Sequence, residues 1–138
     1  PWNVTLWGGG KGLGIVSENV FETMLPYEFF SSEYINFHFR HSFGSLLFKT
    51  KKFSPDLIIT SSVGYGDLSY KGFHAGEEFN TMEKGYYESG VIINNILKYN
   101  MDTYKLGFGM GAFYRYGPYK LPEKMDNFSL KLSLGYTL

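Results

Sequence analysis

Two glutamates, Glu28 and Glu33, flank a short run of aromatic and serine residues and are the pair most easily associated with acid–base chemistry. Paired carboxylates can serve as general acid and general base when a fold holds them on either side of a substrate. Nothing in the local sequence positions these two together or supplies a nucleophile. We therefore predict no catalytic site and expect the two glutamates to anchor the entry to a strand.

The three histidines are the natural metal ligands to consider, because the chain has no cysteine. His38 and His41 are three residues apart in a predicted strand, so their side chains point to opposite faces. His74 stands near two glutamates, and the sequence favours a solvated loop there over a divalent-ion site. The glycine-rich run 8–14 lacks the Gly-Lys-Ser/Thr order of a phosphate-binding loop. We expect no metal and no cofactor.

The elements that would position any site are strands, and the clearest one ends the chain. Residues 127–138 alternate without interruption between apolar and polar side chains, which indicates a strand with one apolar and one polar face. The apolar side carries Phe128, Leu130, Leu132, Leu134, Tyr136 and Leu138. The opposite side carries Asn127, Ser129, Lys131, Ser133, Gly135 and Thr137.

The segment 104–116 repeats this pattern. Its apolar side reads Tyr104, Leu106, Phe108, Met110, Ala112, Tyr114 and Tyr116, and its other side reads Lys105, Gly107, Gly109, Gly111, Phe113 and Arg115, with Phe113 as the exception. Both segments exceed the roughly 9–11 residues that a tilted strand needs to cross a bilayer. Average strands of soluble proteins are about 5–6 residues long. Length therefore favours a membrane barrel over a soluble sheet.

Weaker alternation predicts further strands at residues 2–7, 33–41, 57–68 and 85–97. Together they give an all-β fold, an antiparallel transmembrane β-barrel with meander topology and about six strands. Single-chain outer-membrane barrels have at least eight strands, and lipid does not tolerate an open sheet edge. We therefore expect residues 1–138 to be the C-terminal portion of a larger barrel.

Composition narrows the class of partner. The chain has 13 basic and 13 acidic residues, so its formal net charge is zero and nucleic acid is not an expected partner. Aromatic residues make up 20%, and glycine occurs 17 times. Such a composition suits strands joined by turns.

Several stretches of the chain form recognisable motifs. They are Phe21-Glu22-Thr23-Met24, Glu28-Phe29-Phe30-Ser31, residues 35–43, 46–53 and 82–90, and Tyr114-Arg115-Tyr116-Gly117-Pro118-Tyr119. These motifs resemble one bacterial family, the uncharacterised Bacteroidetes-type outer-membrane proteins that carry a carboxypeptidase-regulatory-like domain before a C-terminal β-barrel. The chain resembles the last strands of that barrel, and the resemblance implies an integral outer-membrane protein and no peptidase.

These patterns predict the role of each face. We expect Phe128, Leu130, Leu132, Leu134, Tyr136, Leu106, Phe108 and Met110 to face lipid. We expect Lys105, Arg115, Lys131, Glu88, Gly107, Gly109 and Gly111 to face the lumen, where the glycines would leave room for a plug, a loop or bulky neighbours.

The predicted function is a structural, transport or envelope-assembly role in the bacterial outer membrane. The expected partners are outer-membrane lipid and either the remainder of the same barrel or other envelope proteins. One alternative is a soluble lipocalin-like or avidin-like barrel whose apolar side chains line a cavity for an apolar small ligand. A second alternative is an outer-membrane enzyme whose catalytic residues lie upstream.

Overall fold

The computed structural model describes residues 4–5, 14–17, 19–44, 54–68, 80–100 and 105–137, with the side chains of residues 4, 5, 136 and 137 outside the described part. Within these ranges the chain is mostly β-structure, as the alternation predicts. A helix long and apolar enough to cross a membrane does not occur among the described residues.

The strands differ greatly in length. Three are only two residues long: β1 (Val4–Thr5), β2 (Gly14–Ile15) and β3 (Phe30–Ser31). The five long strands are β4 (Glu33–Gly44), β5 (Asp56–Asp67), β6 (Met82–Asn100), β7 (Lys105–Tyr116) and β8 (Phe128–Thr137). A 3₁₀ helix, Lys124–Asn127, precedes β8.

The five long strands form one antiparallel meander, so the predicted meander order is confirmed for them. The sheet has six strands in the order β2-β8-β7-β6-β5-β4, and it is not closed. The expectation of a purely antiparallel sheet is wrong, because the sixth strand is β2, which runs parallel to β8 and makes the sheet mixed. Of the strand predicted at residues 2–7, the structure describes Val4–Thr5 as β1, which pairs with β3 and not with the meander; the rest lies outside the described residues.

One face of the sheet, the exposed face, is apolar and has no layer of described residues over it. Side chains on this face line up in rows across neighbouring strands, and one such row consists of Ile59, Val91, Ala112 and Leu130. The large side chains exposed on this face are Ile35, Phe37, Phe39, Phe43, Ile59, Tyr65, Val91, Ile93, Leu97, Tyr99, Phe108, Met110, Tyr114, Tyr116, Leu130, Leu132 and Leu134.

The opposite face, the covered face, lies beneath residues 19–32, which we call the covering segment. Buried side chains from the two layers form an apolar cluster of Phe21, Met24, Phe29, Met82 and Tyr86. A second cluster lies within the sheet and contains Phe113, the exception to the alternation in β7, packed with Ile58 and Ile92. Covered glycines make room for these side chains.

Two bulges interrupt the pairing of β6 with its neighbours. Ile93 pairs with Met110, but the next pair is Leu97 with Phe108, so three residues of β6 stand opposite Gly109. Asn95 in this bulge has a φ of 58°, a left-handed conformation that asparagine tolerates better than most residues. The second bulge, opposite the Gly64–Gly66 stretch of β5, includes Gly85 with a φ of 86°.

The first bulge explains why position 109 is glycine. A Cβ atom at Gly109 would collide with the carbonyl oxygen of Ile93 and lie 2.8 Å from the Cα atom of Asn94, and both are backbone atoms that cannot rotate away. We expect Gly109→Ala to lower the free energy of unfolding by about 1–3 kcal/mol, the usual cost of overpacking. Denaturant unfolding of the refolded protein, followed by circular dichroism, measures this change.

Gly135→Ala is the matched control, because a Cβ there would have its nearest neighbour, the carbonyl oxygen of Gly107, 4.0 Å away. Its effect should stay within about 0.5 kcal/mol. Equal destabilisation by the two substitutions would contradict this account of the bulge.

Candidate functional site

The covering segment is shaped by a tight turn. The amide of Glu28 donates a hydrogen bond to the carbonyl of Leu25 at 3.2 Å, with Pro26 and Tyr27 between them. Proline suits the second position of a type II turn, and the third position needs a positive φ, which Tyr27 adopts at 61°. The Glu28 carboxylate also accepts a bond from the Leu25 amide at 2.9 Å, which closes the turn.

The Glu88 carboxylate, on the covered face of β6, is the main anchor of this segment. One of its oxygens accepts a hydrogen bond from the Glu22 amide at 2.9 Å. The other accepts bonds from the Thr23 amide and the Thr23 hydroxyl, each at 2.6 Å. Glu88 is 2% exposed. Because bonds to an ionised acceptor are roughly twice as strong as neutral ones, the buried charge is compensated by the backbone of the segment.

A buried ion pair provides the second anchor. The Nζ atom of Lys131 lies 2.8 Å from Oε2 of Glu22, and both side chains are almost fully buried. The second carboxylate oxygen of Glu22 accepts a hydrogen bond from the Ser17 amide at 2.6 Å. Removing either charge would leave its partner buried without compensation, which costs several kcal/mol.

Arg115, on β7, provides the third anchor. One of its terminal nitrogens, Nη2, lies 2.6 Å from the Glu28 carboxylate, and its Nε donates to the carbonyl of Tyr119 at 2.6 Å. The guanidinium also stacks over the rings of Tyr86 and Phe29, 5.0 and 5.8 Å from their centroids. Arg115 therefore ties the covering segment to the loop between β7 and β8.

Small residues on the covered face receive the side chains of the segment. A Cβ at Gly64 would lie 2.7 Å from the Phe21 ring, and one at Gly66 would collide with Ser31. The Phe21 ring packs edge-on against Tyr86, with centroids 4.9 Å apart, and lies 5.1 Å from the His38 ring. The glycines thus allow the segment to lie directly on the sheet.

The seven residues predicted to face the lumen share the covered face of the sheet. Glu88, Arg115 and Lys131 are buried there and anchor the covering segment. Each glycine of the stripe makes room for a different neighbour. Gly107 accommodates the Asn95 side chain, Gly109 accommodates the β6 bulge, and Gly111 accommodates Val16 and Phe113. Lys105 differs from the others because it lies exposed at the start of β7.

The residues predicted to face lipid lie on the exposed face. Leu130, Leu132 and Leu134 are 46%, 48% and 52% exposed, and Phe108 and Met110 are comparably open. Leu106 and Phe128 are half-buried. Tyr136 belongs to β8, but its side chain lies outside the described residues.

The residues considered for chemistry are not brought together. Glu28 points to Arg115, whereas Glu33 lies exposed at the start of β4. His38 bonds to the Ser62 hydroxyl at 3.0 Å on the covered face, and His41 stacks between phenylalanines on the exposed one. His74 and glycines 8–10 and 12 lie outside the described residues. Across the described ranges, no three His, Asp or Glu residues form a group that could hold a metal.

Sequence reasoning missed Glu22 and Thr23 as functional residues. They lie in a stretch without strand alternation, so periodicity gives them no role, and their shared partner Glu88 is more than sixty positions away in the chain. The available signal was one of charge: Glu88, Arg115 and Lys131 lie on otherwise glycine- and serine-rich strand faces, and buried charges need partners.

We expect Lys131→Met to lower the free energy of unfolding by about 3–5 kcal/mol, because it leaves the Glu22 carboxylate buried and unpaired. Adding Glu22→Gln removes that charge, so the double variant should recover part of the loss. A double-mutant cycle of denaturant unfolding measures the coupling. Lys105→Met, on the same face but exposed, should change stability by less than about 0.5 kcal/mol. An equal loss for Lys105→Met would contradict the assigned ion pair.

Comparison of the chain with protein-family models, with curated proteins and with solved structures found no match. The resemblance to the Bacteroidetes-type outer-membrane family therefore stays a prediction, carried by the motifs alone.

Proposed function

We propose that the chain is part of an integral β-barrel of the bacterial outer membrane, with its exposed face against lipid and its covered face toward the barrel interior. The proposed role is structural, or linked to transport or envelope assembly, without catalysis. The observation that carries the proposal is the polarity of the sheet: apolar side chains are uncovered, while Glu22, Glu88, Arg115 and Lys131 are buried.

This polarity is the reverse of what a soluble sheet needs. A soluble antiparallel sheet packs its apolar face on a core and turns its polar face to water. Here the exposed face extends without a covering layer of described residues across all five long strands. An exposed apolar surface of this extent marks an interaction with lipid or with another apolar surface.

The height of the exposed face fits a bilayer. Leu106 and Tyr116 mark its limits on β7, ten residues apart, which corresponds to about 34 Å along the strand. A tilt of roughly 45° reduces this to about 24 Å, close to the apolar band of about 25 Å in outer-membrane barrels.

Aromatic residues mark the two ends of this band, as they do at the lipid headgroups of such barrels. Tyr65, Tyr87 and Tyr116 form a cluster at one end: the first two share a hydrogen bond through their hydroxyls, and the last two stack with centroids 6.0 Å apart. Tyr99 lies 61% exposed at the opposite end, beyond the bulge of β6.

The open edges of the sheet support its membership in a larger barrel. Among the described residues, β4 pairs only with β5, and the outer edge of β8 is met only by β2 over two positions. In hydrocarbon each unpaired backbone group costs several kcal/mol. The five long strands are an odd number, so a fully antiparallel ring needs an odd number of further strands, and three would complete the smallest barrel of eight.

The geometry counts against the soluble alternative. A lipocalin-like barrel would enclose its apolar side chains around a ligand, whereas the enclosed side of this sheet carries the charged residues. An enzymatic role also lacks support in the described residues, because Glu22, Glu28 and Glu88 are all engaged in anchoring.

We expect Leu132→Arg to reduce the stability of the protein folded into lipid vesicles by about 2–4 kcal/mol, because it places a charge near the middle of the apolar band. Unfolding by denaturant from vesicles measures this cost. Met125→Arg is the matched control, since Met125 is 76% exposed in the 3₁₀ helix beyond the band. That change should be nearly neutral.

A Leu132→Arg protein that stays folded and monomeric in water without detergent or lipid would overturn the membrane proposal. Equal costs for Leu132→Arg and Met125→Arg in vesicles would also contradict it, because the cost must depend on depth.

A further inference from the structure

We propose that the covering segment, residues 19–32, is a built-in plug: it closes the interior of the barrel and opens as a unit while the sheet remains paired. That the segment closes a barrel interior rests on the proposed function. That the segment opens separately from the sheet rests on contacts within the described residues and can be tested without a membrane.

The plug makes contact with all five long strands. Phe21 lies against His38 of β4 and Gly64 of β5, and Thr23 bonds to Glu88 and to the hydroxyl of Tyr86 at 2.8 Å, both on β6. Further along the sheet it reaches Arg115 on β7 and Lys131 on β8. It therefore spans the covered face from β4 to β8.

Charge complementarity holds the plug in place. The only charged residues of the segment are Glu22 and Glu28. Each faces one of the two buried cations of the sheet, Lys131 and Arg115, at 2.8 and 2.6 Å. Glu88 adds an acceptor for two backbone amides and one hydroxyl of the segment.

The way in which the plug is attached makes it separable. The antiparallel ladder between β4 and β8 is formed without it. Its own backbone bonds to the long strands and their flanks are few: Phe30 donates to the Asn80 carbonyl and Ser32 to the Asp67 carbonyl, each at 2.9 Å. Its other backbone pairing, β3 with β1, lies outside the six-strand sheet. Most of its remaining attachment is through side chains, so it can leave without breaking a pair of that sheet.

A cleft beside the plug shows that it does not fill the covered face completely. The cleft has a volume of about 170 Å³ and lies between the segment and strands β4 to β7, with Asn19, Glu22, His38, Arg40 and Ser62 among its lining residues. This is the side from which water would enter first if the plug moved.

The absence of cysteine allows a direct test. Ser129 is 2% exposed on the covered face and its hydroxyl has no hydrogen-bond partner among the described residues, so Ser129→Cys introduces a buried thiol at little cost. We expect a bulky hydrophilic maleimide to label this thiol slowly. Adding Glu22→Gln leaves Lys131 unpaired and should speed labelling roughly 100-fold. Adding Lys131→Met as well should slow it again.

Met125→Cys is the control substitution, because its site is exposed and the thiol should react fast in every background. An unchanged labelling rate of the Ser129→Cys thiol after Glu22→Gln would overturn the proposal, because the ion pair would then not keep the segment on the sheet.

Hydrogen exchange of the unmodified protein gives a second measurement that needs no variant to fold. Amides of residues 19–32 should exchange at least about tenfold faster than the paired amides of β6 and β7, because local units open with smaller free energies than the whole fold. If the amides of the segment and those of the strands exchanged at one common rate, they would form a single cooperative unit, and the proposal would be wrong. Failure of the Leu132→Arg prediction in vesicles would instead remove the membrane assignment and leave this result standing.

Discussion

The charged side chains on the covered face cannot be buried without partners, and the remaining arrangement follows from how those partners are supplied. A lone ionised group away from water costs far more than any single packing contact contributes. Lys131 lies opposite Gly111, which has no side chain, and Glu88 and Arg115 lie opposite each other, so the sheet alone does not satisfy all three. One short segment does so through two carboxylates, two backbone amides and a hydroxyl.

This solution explains the composition of both faces. The covered face needs glycine at Gly64 and Gly66 so that the segment can approach, and it needs Phe113 to fill the space between strands. The exposed face has no such demands and carries large apolar side chains instead. The proposed membrane role and the proposed plug both rest on this difference between the two faces of the sheet.

The sequence predicted the long strands well, because alternation is a local property of the chain. It placed the strands of residues 105–116 and 128–137 to within about one position. It could not predict the covering segment, whose turn at Pro26–Tyr27 and bond to Glu88 depend on contacts across more than sixty positions. The parallel pairing of β2 was missed for the same reason, since two residues carry no period.

The bulges in β6 have a consequence for how this chain can change in length. Between Ile93 and Leu97 the strand gains two residues relative to β7, and between Met82 and Tyr86 it gains two relative to β5. An even gain returns every later side chain to its original face. A single extra residue must be absorbed locally by a bulge, as β4 does between Ser42 and Gly44; otherwise it exchanges the apolar and the charged sides of the strand beyond it. A one-residue insertion or deletion that no bulge absorbs should therefore be far more damaging in these strands than a two-residue one.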